Sequence, residues 1–347
     1  MKPTLLPCNQ FDHFYRGGDR IGALRHGPGG PNRPEEWIGS TTARFGLAPQ
    51  GFSILPDGRL LIEAVEADPQ AWLGPDHVAR YGSSTEVLIK LLDLDQRLPV
   101  HLHPNREFSR QHLGLAHGKT EAWYVIDAPE GAQVGVGFAD NMTLDQVSAW
   151  VNERDSDALM GALRSRVVKP GDAMLVPSGL PHTVQSGVFV LELQEPTDLS
   201  ILLEWQGFAV DGMKDGHLDL GFDTALQAVD LSAISASDQD RLVVTSEMIA
   251  GAGLSSVMPA AADSYFRAHH FSATDGPVSV DAGFGVVLVL GGLGVLRTAD
   301  GSLEVTQGDV VLVPFAAGEY SLHSLGDDAL VGVVCRPPAP DAPHGAR

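Results

Sequence analysis

Two stretches of the chain, PGDAMLVPSGLPH at 170–182 and QGDVVLVPFAAGE at 307–319, share the pattern Gly-Asp-x-x-Leu-Val-Pro. In each, a glycine turn feeds a short apolar strand that ends at a proline. A repeat of this kind implies one architectural unit built twice, which suits a length of 347 residues. The segments between are of one type. STEVLIKLLDL, EAWYVIDA, QVGVGF, VFVLELQE, DLSILLEW and GVVLVLGG are short, rich in branched and aromatic residues, and separated by Gly, Pro, Asn and Asp. The expected fold is all-β dominated, a pair of β-barrel or jelly-roll domains with few helices. Helices are expected at 143–166, capped by Thr143 and by Asp155 or Ser156, and at 222–230. The Gly-, Pro- and Arg-rich stretch 17–36 reads as a surface loop. The expected division is a first barrel with N-terminal strands and loop at 1–205, a partly helical connection at 206–250, and a degenerate second barrel at 251–347.

Charge narrows the partners. The net charge is −21, and nucleic acid needs clustered Lys and Arg to neutralise phosphates. A nucleic-acid partner is therefore not expected. A small anion is still admissible, because a few cations in a cleft override the global field. The longest apolar run, GVVLVLGGLGVL at 285–296, is too short and glycine-rich to span a membrane and reads as two strands around a turn. The two cysteines, Cys8 and Cys335, make no disulfide framework, and the N-terminus shows no signal-peptide pattern. The expectation is a cytoplasmic protein, monomer or homodimer, with no membrane partner.

The first copy of the repeat ends in His182, whereas the second has Glu319 near the equivalent place. Upstream of the first copy lies LPVHLHPN at 98–105. Residues i and i+2 of a strand share a face, so His101 and His103 project together. Glu121 follows at the start of another strand. Gly171 permits a sharp turn, Pro177 ends the strand, and Gly179 lets the loop bring His182 to the barrel mouth. Three imidazoles and one carboxylate can hold a divalent transition ion with positions left open for water or substrate. The second barrel lacks the histidine and is expected to be structural. Of the remaining histidines, His112 and His117 flank the motif and are expected at the surface; His323 and His344 are given no role.

His-x-His, the downstream Glu and Gly-x5-Pro-x-Gly-x2-His resemble the two motifs of the cupin superfamily. The likeness goes further. VLIKLLDLDQRLPVHLHPN, HGKTEAWYVIDA, VVKPGDAMLVPSGLPHTV and VFVLELQEPTD resemble the short bacterial form of the type I mannose-6-phosphate isomerases. YRGGDRIGAL, EEWIGST and LGFDTALQAVDL also fit that family. The resemblance implies a double cupin that binds zinc and interconverts an aldose phosphate and a ketose phosphate. It implies the metal ligands His101, His103, Glu121 and His182, with Lys119 of GKTE at the substrate and Lys90 as a second family lysine. Two departures stand out. The family usually has Gln where His101 stands, which leaves iron, manganese and nickel open beside zinc. The family also carries an arginine near the position of Leu202, and here there is none.

For proton transfer between C1 and C2, Lys119 and Glu204 are the candidate bases. Arg16, Arg20 or Arg106 is expected to stand in for the absent arginine, with Arg16, Lys90 and Trp123 as candidate substrate contacts. The leading reading is isomerisation of mannose 6-phosphate and fructose 6-phosphate through an enediol. The alternatives are an isomerase of another or non-phosphorylated sugar, a cupin-type metal oxygenase, and a non-catalytic sugar-binding cupin.

Overall fold

The structure is a computed structural model that describes residues 1–249 and 251–342; His344 lies outside them. Four sheets form two barrels. The first barrel has a six-stranded sheet in the order Val243–Val244, Ala173–Val176, Glu121–Asp127, Phe189–Gln194, Leu88–Asp93, Glu35–Ile38. Opposite lies a five-stranded sheet in the order Ile201–Leu202, His101–Leu102, His182–Val184, Gln133–Phe138, Leu163–Val167. The second barrel repeats the plan. Its six-stranded sheet runs Thr4–Leu5, Val310–Val313, Gly285–Gly291, Val331–Arg336, Arg267–Ser272, Gly253–Ser256, and a four-stranded sheet closes it. The repeated strands, Ala173–Val176 and Val310–Val313, hold the same second place in the two large sheets. The ends of the chain segments cross over, since Thr4–Leu5 completes the second barrel's sheet and Val243–Val244 the first barrel's.

Period-two alternation explains the packing. In Leu88–Asp93, Ile89 and Leu91 turn outward while Lys90 and Leu92 turn into the barrel. The outward set of the first large sheet (Ile89, Leu91, Ala122, Tyr124, Leu175, Leu191) packs against the outward set of the second (Val286, Leu288, Val310, Leu312, Val333, Cys335) in one core. Each such side chain taken from water contributes about 1.5–3 kcal/mol, so the apolar seam holds the barrels together. Val134, Val136, Val176, Val184 and Val190 fill the first barrel.

The two strands at Gly285–Gly291 and Leu293–Thr298 form as expected. So do the helices Leu144–Glu153, with a Thr143–Gln146 capping box, and Ser156–Ala162, capped by Asp155. The stretch 17–36 is not wholly loop. Asp19–Arg25 is a helix with Ile21 and Arg25 buried, and Arg25 pairs with Glu36 at 3.1 Å. Its glycine- and proline-rich flanks hide these roughly two turns of helix in the sequence. Three short helices between Leu61 and Tyr81, two opened by proline, were equally silent in a pattern dominated by strands. Among the described residues, no helix is long and apolar enough to cross a membrane.

Candidate metal centre and its cavity

Strand pairing assembles the site. His101 lies directly opposite His182, and Glu121 lies opposite Val176 at the end of the repeated strand. Gly171 and Gly179 both have φ of +88°, a region L side chains avoid. Those turns deliver His182 next to the His101–His103 pair. The ring centroids of the three histidines are 4.1–4.9 Å apart, and one nitrogen from each lies within 4.8 Å of the others.

Each imidazole is oriented by the backbone. Nδ1 of His101, His103 and His182 lies 2.8, 2.7 and 2.8 Å from the carbonyl oxygens of Pro99, Leu199 and Leu180. A carbonyl only accepts, so each Nδ1 carries the hydrogen and each Nε2 turns its lone pair to the centre, that of His103 accepting from Lys119 Nζ at 3.0 Å. His182 Nε2 is buried without a hydrogen-bond partner, and so is Glu121 Oε2. That carboxylate oxygen sits 2.9 Å from both His103 Nε2 and Lys119 Nζ, but neither approach has hydrogen-bond geometry. Burial, then the neighbouring histidines, hold His101 well below the ordinary imidazole range, and burial with Lys119 takes His103 down to about 3. Burial alone would raise Glu121, but Lys119 and His103 hold it well below the carboxylate range. Neutral imidazoles with converging lone pairs beside an ionised carboxylate repel one another. This donor set fits a divalent transition ion, to be held by His101, His103, His182 and Glu121.

The centre lies at one end of a cavity of ≈ 520 Å³, within the usual range for small-molecule sites. Lys90, His101, Lys119, Glu121, Glu192, Asp198 and Leu202 line it, together with His13, Glu35 and Arg44. Lys119 Nζ is 3.0 Å from His103 Nε2 and 3.6 Å from Glu192. Burial, and then the charge of Glu121, push the Glu192 carboxyl up to about 8. Lys90 stands 3.5 Å from Glu35 and 4.6 Å above the Trp37 ring. Burial opposes its charge, but Glu35, Glu192 and Asp198 hold it above the usual lysine range. Glu35 accepts hydrogen bonds from Tyr15 and Trp37.

Not every expected residue comes to this cavity. Glu204 is buried outside its lining, bound by Arg97 and by the Val100 amide. The strand Ile201–Leu202 ends before it, so alternation no longer governs where it points. Trp123 shares the inward face of Glu121 but packs among Val125, Val134 and Met174, with its ring 5.7 Å from His182. Arg16 is exposed and outside the lining. Arg20 is engaged by Asp93 at 2.6 Å and Arg106 by Glu195, and neither lines the cavity. Leu202 does, which makes that wall apolar. The arginine at the cavity is Arg44, which sequence reading passed over. His117 pairs with Glu86 at 3.0 Å and His112 stacks on Phe108, both away from the cavity. Glu192, Glu35, His13 and Asp198 were also missed. Only for Glu192 was there a signal, a lone carboxylate inside the apolar strand VFVLELQ.

No family model matches the chain. Over 249 residues it is 27% identical to the Bacillus subtilis (strain 168) protein named mannose-6-phosphate isomerase ManA, covering 71% of this chain and 74% of that one. A crystal structure of the Bacillus subtilis mannose 6-phosphate isomerase superposes with a TM-score of 0.73 at 21% identity, covering 96% of this chain and 99% of the other. The Salmonella typhimurium mannose 6-phosphate isomerase, solved with fructose 6-phosphate and zinc, superposes with a TM-score of 0.70 at 14% identity, covering 98% and 100%. In sequence this chain is similar to proteins named mannose-6-phosphate isomerase, and its strand-rich double barrel has the fold of these solved structures.

Proposed function

We propose that this protein is a metal-dependent aldose–ketose isomerase that interconverts mannose 6-phosphate and fructose 6-phosphate. The carrying observation is the convergence of three imidazole nitrogens and Glu121 beside a cavity that also presents Lys119 and Glu192. The names of the sequence relatives and the ligands of the Salmonella neighbour support the same reading, with zinc as the ion. Its ligands are His101, His103, His182 and Glu121.

A bound divalent ion supplies Lewis-acid polarisation of the sugar carbonyl and holds its oxygens. The chain supplies the rest. Glu192, poised near neutrality, takes the proton from C2 of the aldose as its carboxylate, exchanges it with solvent, and delivers a proton to C1, through an enediol. Lys119, between Glu121 and Glu192, donates to the oxygen on which negative charge builds and relays the hydroxyl proton between O2 and O1. Lys90, held by Glu35 over Trp37 and directly across from Glu192 in the same sheet, positions the sugar. The division into a metal-bearing barrel at 1–205, a connection at 206–250 and a second barrel from 251 onward belongs to this reading. So does a cytoplasmic location, in keeping with two unpaired cysteines.

The test is a coupled assay for fructose 6-phosphate with the zinc-loaded chain, run beside an oxygen electrode. Product formation that stops with a chelator and resumes with zinc is expected, without oxygen uptake. Oxygen consumption, or no product from protein holding one metal per chain, contradicts the proposal.

A further inference from the structure

Three cations line the cavity: Lys90, Lys119 and Arg44. Two are offset by carboxylates. Lys90 has Glu35 at 3.5 Å and Asp198 at 3.9 Å, and Lys119 has Glu121 at 2.9 Å and Glu192 at 3.6 Å. Arg44 differs. Its Nη1 donates to the Asp12 carbonyl at 3.1 Å and to the Gln50 side-chain carbonyl at 2.9 Å, and its guanidinium lies 5.4 Å over the Phe11 ring. Every one of these partners is uncharged. Neither Nε nor Nη2 donates to a described residue, and no described carboxylate lies within ion-pair distance. A guanidinium held by neutral groups at a cavity wall keeps its full charge and an open edge for a bidentate anion.

A second observation points to the same place. His13 Nε2 is buried and makes no hydrogen bond, with Glu35 Oε2 3.5 Å away, on a side chain only 6% exposed, and the residue lines the cavity with Arg44. Burial keeps His13 neutral, down to about 4, and the charge of Arg44 acts in the same direction against the pull of Glu35. His13 thus offers a ring nitrogen without adding charge. The loop that carries Arg44 is tied to the cavity wall, because the Phe45 amide donates to Asp198 at 3.1 Å. Glu35, 3.5 Å from His13 Nε2, and Asp198 are the carboxylates at this part of the cavity; Lys90 lies 3.5 and 3.9 Å from them, and the Phe45 amide binds Asp198. Asp215 and Asp219, which line the cavity too, are solvent-exposed and screened.

We propose that Arg44, with His13 beside it, is the binding site for a phosphate monoester at the end of the substrate remote from the metal centre. The proposal rests on the isomerase reading for the identity of the sugar phosphate, but not for the anion site itself. It makes the 41–51 loop a determinant of specificity for phosphorylated over free sugar.

The experiment uses the full, metal-loaded chain as wild type, Arg44→Gln, Arg44→Lys and Gln50→Ala. Steady-state kinetics with mannose 6-phosphate are paired with calorimetric titration of inorganic phosphate. Arg44→Gln should raise KM by about 10- to 100-fold with kcat within about threefold, and weaken phosphate by about tenfold or more. Arg44→Lys should fall between, keeping the charge without the bidentate fork. Gln50→Ala, which removes one of the acceptors that hold Arg44 Nη1 and leaves the charge, should shift KM in the same direction as Arg44→Gln and by less. The proposal is overturned if Arg44→Gln changes neither KM nor phosphate affinity, or if Gln50→Ala reproduces its full effect. Arg44-dependent phosphate binding without turnover of mannose 6-phosphate would sink the isomerase reading and leave the anion site standing. Turnover with a KM indifferent to Arg44 would do the reverse.

Discussion

The two barrels share one strand order and differ in what fills the same place. In the first, register sets Glu121 opposite Val176 and Gln194 opposite Glu121. In the second, Gly285 lies opposite Val313, which holds the position of Val176 in the repeat, and Arg336 follows Cys335, the partner of Val286. Glu121 thus corresponds to Gly285, and two residues earlier Lys119 corresponds to Gly283. Over both glycines lies the side chain of Arg336, which would meet a Cβ at Gly283 or Gly285 at 3.3–3.5 Å. Arg336 is buried and pairs with Asp281 at 2.8 Å. Glu319, in the place of His182, is exposed. The remaining interior is Val278, Val287, Val311, Leu322 and Tyr320. One scaffold carries a cluster of histidines in the first barrel and a packed interior in the second. The change is legible as carboxylate and lysine to glycine, with an arginine occupying the space released.

The comparison breaks first at the metal ligands. His182→Ala, or chelation of the wild type, should lower kcat/KM by about 10³-fold or more. Metal analysis should show one ion per wild-type chain and substantially less in the variant. If His182→Ala retains full metal and activity, the first barrel is not where the ion sits.

Glu192→Gln comes next. Gln keeps the shape and, near neutrality, most of the charge state, but cannot move a proton. We expect kcat to drop about 10²- to 10⁴-fold with metal content unchanged. An unaffected kcat would move the base elsewhere, to Lys119 first.

In the second barrel the expected penalty is to stability alone. Arg336→Ala removes a buried stem and the partner of Asp281 and should cost on the order of 2 kcal/mol in urea unfolding, with kcat and KM for the sugar unchanged. A selective loss of activity in well-folded Arg336→Ala would mean that the second barrel does more than support.

The smallest effect is the pH dependence contributed by His13. Its folded value, about 4, lies below the ordinary 6.5. Between those values the unfolded chain binds the proton and the folded chain does not, so this group's contribution to stability falls as pH drops from about 6.5 towards 4. The limiting slope is about 1.4 kcal/mol per pH unit. His13→Gln should flatten the wild-type slope in that window, as read by chemical denaturation at pH 7.5, 6 and 5; an unchanged slope would show that His13 is already protonated in the folded state.

The double barrel and the clustering of His101, His103 and His182 were readable because their signals are local. His-x-His uses strand alternation, and Gly171 to His182 is one continuous turn-and-strand unit. What escaped depends on contacts between distant strands. Glu192 reaches Lys119 only through pairing of Phe189–Gln194 with Glu121–Asp127, and Arg44 reaches the cavity from a loop with no periodicity. Glu204 misled because alternation was carried past the end of its strand, where Arg97 captured it. Trp123 obeyed alternation and still missed the cavity, because facing inward in a filled barrel means packing as often as access. The division of roles between the barrels showed in the sequence as His182 against Glu319, but what replaced the site, Arg336 over two glycines, needed the register.

The most direct test of a proton-transferring metal site in the first barrel is proton NMR of mannose 6-phosphate in heavy water with the zinc-loaded chain. The account expects fructose 6-phosphate to form and deuterium to enter at the transferred position, with both changes absent in His103→Ala. Protein holding one metal per chain that leaves the C2 proton signal of mannose 6-phosphate untouched would contradict it.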